Sequence, residues 1–517
     1  MTTPAALDLD GLTLALVREG ALRDRPVTVL GLARSGIALA RFFADAGARV
    51  TVYDGRPAAE LGEAIAALGD RPIGLALGPA VDPASTWAGA ALVATSPSIT
   101  PDFPTTEPVL RAALRRLVDA RVAGDRAVPA LVSEADLFLR LCPVATVGVT
   151  GTKGKTTTSS LAAAILAADP AHPVILGGNI GLPLIERLGE LTPSHRVVDE
   201  LSELQLPTLS RGTTVAVYTN VTADHLDRHG SLEAYRAVKR RLAELVAPGG
   251  AVVINGEDPV LATYEAPDHA RTLVYRRSAP TPGGLGLVDG WIVADGVAAL
   301  DGVDAGSAAT DGRIMPVVEL TIPGTHNISN ALAAVAAGAL FGVDPDRIRA
   351  AAVAFTGVEH RLEPVATVDG VRFINDSQGT QPDAVAAALR AFDPPIVLIA
   401  GGRAKGIDLA ALAPVVADRA AAAVLIGESG PDLEREFRAA GLARTERAPD
   451  LETAVRRADA IAREARATLG DVTATVLLSP AAASFDMFVD YAARGRAFKD
   501  AVADLAATRH PADGGQR

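Results

Sequence analysis

Apolar and polar positions follow two rhythms along this chain. Short unbroken runs of aliphatic and β-branched residues, VTVLG (27–31), ALVAT (91–95), VATVGV (144–149) and VAVYT (215–219), each precede a longer stretch with helical spacing. Continuous apolar runs suit strands buried on both faces, and strands separated by helices predict βαβ units with parallel sheets. A later set, PIVLIAGG (395–402), AVLIGES (423–429) and TVLLSP (475–480), predicts a separate third α/β unit. Between the second and third, residues 280–320 are rich in Gly, Pro and Asp and predict irregular β structure within the middle unit. At 517 residues the chain exceeds what one core serves, so an α/β protein of three domains is expected, with boundaries near 143 and 356. No solenoid repeat is visible, and RHPADGGQR at the end reads as a frayed tail.

Composition narrows the function. Apolar residues make up 49% but aromatics only 4%, which fits Ala-, Val- and Leu-rich helices on parallel strands. A net charge of -12 speaks against nucleic acid as a partner, because such binding draws on basic side chains meeting phosphates. The single Cys142 excludes an intrachain disulfide and a thiolate zinc cluster. The N-terminal stretch has no basic region followed by an apolar core, and no later stretch is an uncharged apolar run of membrane-spanning length. A soluble cytoplasmic protein is expected.

The chemistry gathers in a few stretches. GVTGTKGKTTT (148–158) departs from the strict P-loop pattern because Val149 stands where the first glycine belongs. Its physics survives: a strand is expected to end at Val149, and Gly151 and Gly154 let backbone N–H groups face an anion ahead of a helix N-terminus. Lys155 suits β/γ-phosphate charge, and Thr156 offers a hydroxyl to Mg²⁺. TNVTADHLDRHGSLEAYRAVKRRLAELV (219–246) places Asn220, His225 and Asp227 on a strand-exit loop and starts a helix after Ser231, a good N-cap. On that helix Tyr235, Val238, Leu242 and Leu245 form the apolar stripe with Lys239 at its edge, where a lysine alone would snorkel. VVDELSELQL (197–206) puts Asp199 and Glu200 at an expected strand end, where a carboxylate can share Mg²⁺ with Thr156. Near the start, VLGLARSGIALARFF carries a G-x-A-x-x-G variant of the dinucleotide fingerprint, followed by Asp54 at the end of the next strand. Asp54 suits either a ribose or base contact or a turn, and a nicotinamide-dependent oxidoreductase stays open here, although Ala33 restricts close approach to a pyrophosphate.

Taken together, these stretches resemble the Mur ligase family over nearly the whole chain. The resemblance rests on TGTKGKTTT (150–158), GGNIGLPL (177–184), ELSELQL (200–206), TNVTADHLDRH (219–229), HNISNALAA (326–334), GVEHRLE (357–363), NDSQGTQPDA (375–384), GGRAKGIDL (401–409) and LLSPAAASFDMF (477–488). It implies a Rossmann-like N-terminal domain for the UDP end of a substrate (1–143), a central P-loop ATPase domain with a mainly parallel sheet (144–356), and a Rossmann-like C-terminal domain for glutamate (357–517). The implied reaction is ATP-dependent amide formation on UDP-N-acetylmuramoyl-L-alanine, D-glutamate being favoured over the family's L-glutamate branch. ATP and two Mg²⁺ ions are the implied cofactors, and a monomer acting on small molecules is expected.

Carried over by motif, Gly151, Thr152, Lys153, Gly154, Lys155, Thr156 and Thr157 hold phosphate. Asn327 and Asn330 lie by adenine, and His360, Arg361 and Asp376 match ATP contacts. Thr156, Glu200, His225 and a carbamylated Lys239 match metal ligands, and Lys155, Glu200, His225 and Lys239 the catalytic set. Leu32, Ala33, Asp54, Gly55, Arg56 and Ser96 match the uracil end, Asn179 and Ser202 the sugar and peptide part, and Thr380, Lys405, Ser484 and Tyr491 the incoming amino acid. The chain departs from the family's usual pattern at Gln378, more often Lys, at Ser98, usually Gly, and at Glu203 and Leu204, commonly Ser and Phe.

Overall fold

Every continuous apolar run quoted above lies in a strand of one of three sheets. The computed structural model describes residues 6–102, 106–125, 127–222, 229–302, 309–403, 409, 411–470 and 472–509. The first sheet is wholly parallel and contains β1 (Pro26–Leu30), β2 (Arg49–Asp54), β3 (Ile73–Leu77), β4 (Leu92–Thr95) and β5 (Ala130–Ser133), in the order β3-β2-β1-β4-β5. The chain therefore leaves β1 to one side and returns to the other, opening a crevice at the carboxyl ends of β1 and β4.

The second sheet has nine strands: β6 (Thr146–Thr150), β7 (Val174–Gly178), β8 (Arg196–Glu200), β9 (Val215–Tyr218), β10 (Ala251–Asn255), β11 (Arg271–Tyr275), β12 (Leu285–Val288), β13 (Trp291–Val297) and β14 (Thr310–Pro316). Their order is β14-β13-β12-β11-β10-β9-β6-β8-β7, parallel except where β12, β13 and β14 pair antiparallel at one edge. Those edge strands are the β structure expected for residues 280–320. The strand expected to end at Val149 runs to Thr150, because Thr150 still pairs with Tyr218 of β9.

The third sheet contains β15 (Glu363–Val368), β16 (Val371–Asn375), β17 (Ile396–Gly401), β18 (Ala420–Ile426), β19 (Thr445–Arg447) and β20 (Ala474–Leu478). Its order is β15-β16-β20-β17-β18-β19, with only β15 antiparallel to its neighbour. The chain packs as two units. One holds the first two sheets (Met1–Leu320 with Thr325–Phe355), and the other holds the third (Thr321–Gly324 with Thr356–Arg517). Among the described residues no helix is long and apolar enough to cross a membrane.

Within the first unit, the helix Glu134–Leu141 is started by Ser133, whose hydroxyl accepts from Asp136 N–H. Its first residue, Glu134, is buried and accepts from Ile185 N–H at 3.2 Å. Burial pushes this carboxyl up to about 7, only partly opposed by the Ile185 bond and by Arg34. The unfolded chain gives up this proton at the ordinary carboxyl value of about 4.5 while the folded protein keeps it to about 7. The resulting stability is complete below the lower value and is lost as pH rises through the upper one, an effect of about 3 kcal/mol. Glu134→Gln keeps the acceptor without the charge. Its melting temperature should therefore fall less than that of the wild type between about pH 5 and about pH 8, and parallel pH profiles would count against this assignment.

Candidate active site

The loop after β6 is shaped by close packing against its neighbours. Gly151 (φ 150°) and Gly154 (φ 87°) have positive φ, and a Cβ on either would strike Thr219 Oγ1 or Asn330 Oδ1 respectively. Gly154 is also the N-cap of the helix Lys155–Ala167, so Lys155, Thr156 and Thr157 form its first turn, where N–H groups without intrahelical partners face outward. The segment after β9 pins the loop. Asn220 Oδ1 accepts from Lys153 N–H and Asn220 Nδ2 donates to Lys153 O, both at 2.9 Å, while Thr152 N–H donates to Asn220 O at 2.8 Å. The Thr152 hydroxyl lies 3.0 Å from Tyr235 OH. Lys155 Nζ folds back onto the carbonyls of Gly151 and Thr152, at 3.0 Å each.

Glu200 closes β8, beside β6 in register with Val149, and is buried. Its Oε1 accepts from Asn179 Nδ2 at 2.9 Å, but its buried Oε2 has no hydrogen-bond partner among the described residues. Two alternate positions follow from the pleat: Glu200 lies on one face of β8 and Asp199 on the other. Asp199 is held well above the ordinary carboxylate value by burial and by the neighbouring Glu134 and Glu200 charges. A carboxylate oxygen without a hydrogen-bond partner among the described residues, at the end of a strand on which the helix carrying the Thr156 hydroxyl packs, is a donor set that fits a hard divalent cation.

Lys239 corrects one expectation. On the helix Leu232–Glu244, which Ser231 caps by accepting from Ala234 N–H, Lys239 is completely buried rather than at the edge of the apolar stripe. Its Nζ donates to Gly151 O at 3.0 Å and Thr150 Oγ1 at 3.3 Å, and lies 5.5 Å from the Tyr235 ring centroid. Snorkelling to solvent is excluded by that burial. Asn330 Oδ1 accepts from Thr158 Oγ1 at 3.3 Å, and Asn330 Nδ2 donates to Asn327 Oδ1 at 2.8 Å, so both asparagines adjoin the same helix start. The buried Ser202 hydroxyl is occupied by Gln205 Oε1 at 2.8 Å. His225 and Asp227 lie outside the described residues.

At the carboxyl ends of the first sheet, Ala33 is the N-cap of the helix Arg34–Asp45 and contributes no side-chain cap. Asp54 accepts from Leu32 N–H at 2.8 Å and from Arg56 through N–H, Nε and Nη2. Burial acts to raise this carboxyl, but the Arg56 and Leu32 bonds prevail and hold it below the usual value. Gly55 follows, and past the end of β4 the Ser96 Oγ is buried without a hydrogen-bond partner among the described residues.

The second unit gathers another set at the carboxyl ends of β16, β20 and β17. Asp376 accepts from Ser479 Oγ at 2.6 Å and Leu362 N–H at 3.2 Å. Burial pushes it up to about 6, with Ser479 and Arg361 acting the other way. His360 stacks edge-on to Tyr491 at 6.3 Å, and burial holds its imidazole below the ordinary value. Gln378 N–H donates to His360 O, and Gly379 O accepts from Ala481 N–H, so Thr380 and the 481–484 turn carrying buried Ser484 lie side by side. Lys405 lies outside the described residues.

Residues 149–338 match the Mur ligase middle domain and residues 360–482 match the Mur ligase, glutamate ligase domain. UDP-N-acetylmuramoylalanine--D-glutamate ligase of Symbiobacterium thermophilum is 38% identical over 493 residues, covering 94% of this chain and 99% of that protein. The protein of the same name from Anaeromyxobacter dehalogenans is 39% identical over 482 residues, covering 92% and 97%. The chain belongs to the Mur ligase family. A crystal structure of MurF from Acinetobacter baumannii shares the fold, with a TM-score of 0.51 at 16% identity over 80% of this chain and 90% of that one. Mur ligase membership makes this an ATP-dependent amide-forming ligase and removes the oxidoreductase alternative.

In each unit of this Mur ligase some groups were not singled out from the sequence. Arg34, at the first turn of its helix, donates to Asn179 O and Gly181 O at 3.2 and 3.1 Å, tying the first sheet to the loop after β7. Arg494 is buried, with Nε donating to Ser377 Oγ and Nη2 to Ser377 O, and it holds the turn beside Gln378. Leu362 and Ala481, like the His360 already named, have positive φ without being glycine, a conformational cost in the second unit. Only Arg34 carried a sequence signal, as a cation inside the glycine pattern.

Proposed function

We propose that this Mur ligase joins D-glutamate to UDP-N-acetylmuramoyl-L-alanine at the expense of ATP, by way of an acyl phosphate, in cytoplasmic peptidoglycan precursor synthesis. The observation that carries the chemistry is one strand-end arrangement: the Gly151–Gly154 loop, Lys155 on a helix N-terminus, and a buried Glu200 oxygen without a hydrogen-bond partner among the described residues. The amino acid and its configuration follow from relatives similar over more than nine-tenths of the chain.

A carboxylate resists attack because its charge repels nucleophiles and it has no good leaving group. Transfer of the γ-phosphate to a carboxylate oxygen breaks its P–O bond to ADP, which leaves, and makes a mixed anhydride. The glutamate amine then attacks the carbonyl carbon, a C–N bond forms, and the C–O bond to phosphate breaks as inorganic phosphate leaves. Residues 151–157 cradle the phosphates, and Lys155 offsets charge as two anions meet. Mg²⁺, when bound, supplies positive charge to the phosphate oxygens. Thr156, Glu200, His225 and a carbamylated Lys239 are the residues that would hold its two ions. The burial of Lys239 supports carbamylation, since CO₂ adds to a neutral amine and releases a proton, and desolvation favours that neutral form.

Asn327 and Asn330 belong to the adenine side, while Arg361, His360 and Asp376 serve ATP from the third domain. Leu32, Ala33, Asp54, Gly55, Arg56 and Ser96 take the uracil end, Asn179 and Ser202 the sugar and peptide, and Thr380, Lys405, Ser484 and Tyr491 the glutamate. The same reading divides the chain into three domains at 143/144 and 356/357, Rossmann-like at both ends around a P-loop domain, and working as a monomer.

Phosphate release from ATP with UDP-N-acetylmuramoyl-L-alanine tests the assignment. D-glutamate should support turnover, whereas L-glutamate or no amino acid should not. Release driven by L-glutamate would move the enzyme to the other branch, and release indifferent to amino acid would end the ligase reading.

A further inference from the structure

The first unit also contains a cavity of about 660 Å³ that none of the groups above uses. Arg23, Gly47 and Arg71 on its wall precede β1, β2 and β3, so it opens at the amino ends of the first sheet. Leu32, Asp54 and Ser96 lie at the carboxyl ends, about 16 Å away along a five-residue strand. The other wall is the turn Leu184–Glu190, which follows β7.

Its volume falls in the range of small-molecule sites, about 300–1,000 Å³. The floor is apolar, with Leu14, Val17, Ile185 and Leu188 buried and the Phe42 ring partly open. Leu182, 56% exposed, stands at the rim. Five arginines face three carboxylates around it. Arg71 grips Asp45 through two bonds of 2.8 Å, Arg41 pairs with Glu186 at 3.2 Å, and Arg187 pairs with Glu190. Those pairs consume all three carboxylates, leaving Arg18 and Arg23 exposed and without a hydrogen-bond or ion-pair partner among the described residues.

We propose that this cavity is a second ligand site, distinct from those of ATP, nucleotide-sugar and glutamate, for a small aromatic anion. An apolar floor with one open aromatic ring takes a flat apolar body, while guanidinium groups both bind anions and stack on aromatic faces. Two unneutralised arginines on a chain of net charge -12 mark a local reversal of sign that an anion would match. A ligand here would touch the helix Arg34–Asp45 and the turn Leu184–Glu190 together, the latter only a few residues beyond Asn179. The site thus provides a means of coupling an outside molecule to the substrate loop.

The test is a fluorescence titration of the full chain with 8-anilinonaphthalene-1-sulfonate, compared with its uncharged analogue N-phenyl-1-naphthylamine. Saturable binding at one site per chain is expected, unchanged by saturating ATP, with the uncharged analogue at least about tenfold weaker. Arg18→Glu with Arg23→Glu should weaken the sulfonate by about tenfold or more and leave ligase activity without probe unchanged. Both side chains are exposed and have no hydrogen-bond or ion-pair partner among the described residues, so the fold should tolerate the change. Wild-type affinity in the double variant, equal binding of the uncharged analogue, or displacement by ATP would each overturn the site. This readout does not depend on ligase activity, so it stands or falls apart from the glutamate assignment.

Discussion

Lys155→Ala should lower kcat/KM for amide formation by on the order of 10³-fold, about 4 kcal/mol of transition-state stabilisation. The loop itself should survive. Lys155 Nζ donates to the Gly151 and Thr152 carbonyls, and the loop is also held by Asn220 and Thr219. The loss should therefore appear in turnover while the melting temperature moves little. Because phosphoryl transfer brings an anionic acceptor to an anionic donor, a cation on the reacting phosphates contributes more at the transition state than in the ground state. ATP-dependent release of phosphate, measured with both substrates present, is the direct check. A variant within a few-fold of the wild type would remove Lys155 from the reaction.

Lys239→Met carries the second large effect, roughly 10²-fold or more in turnover. Methionine keeps an unbranched apolar stem of similar length, so the packing beside Tyr235 and under Thr150 is largely preserved. It cannot take up CO₂. Two results should follow together: loss of activity with a near-normal melting temperature, and a wild-type rate that falls in CO₂-free buffer and returns on adding bicarbonate. If the methionine variant works normally, or the wild-type rate ignores bicarbonate, Lys239 is a structural cation, with bonds to the Gly151 carbonyl and Thr150 hydroxyl among those that hold it.

The contrast between Lys155 and Lys239 separates what was legible in the sequence from what was not. Lys155 could be placed because its position follows from neighbours in the chain: two glycines, a strand before them and a helix after. Lys239 was set at the edge of its helix because a helical projection sees only that helix. Its burial comes from Thr150 and Gly151, 89 and 88 residues earlier, which lie over it only because β6 sits beside β9.

Local order thus determined the strands, the parallel sheets, the Ser231 cap and the phosphate loop, since apolar runs, glycine turns and caps act over a few residues. Family membership was legible for the same reason, as a series of short motifs in order. Tertiary structure alone decided that Glu200 keeps one oxygen without a hydrogen-bond partner among the described residues, that Glu134 holds its proton to about 7, that Arg34 spans two sheets, and that Arg18 and Arg23 face a cavity. Each of these depends on which sequence-distant groups share a desolvated space. Charge, hydrogen bonding and proton affinity respond to that space and have no periodicity along the chain.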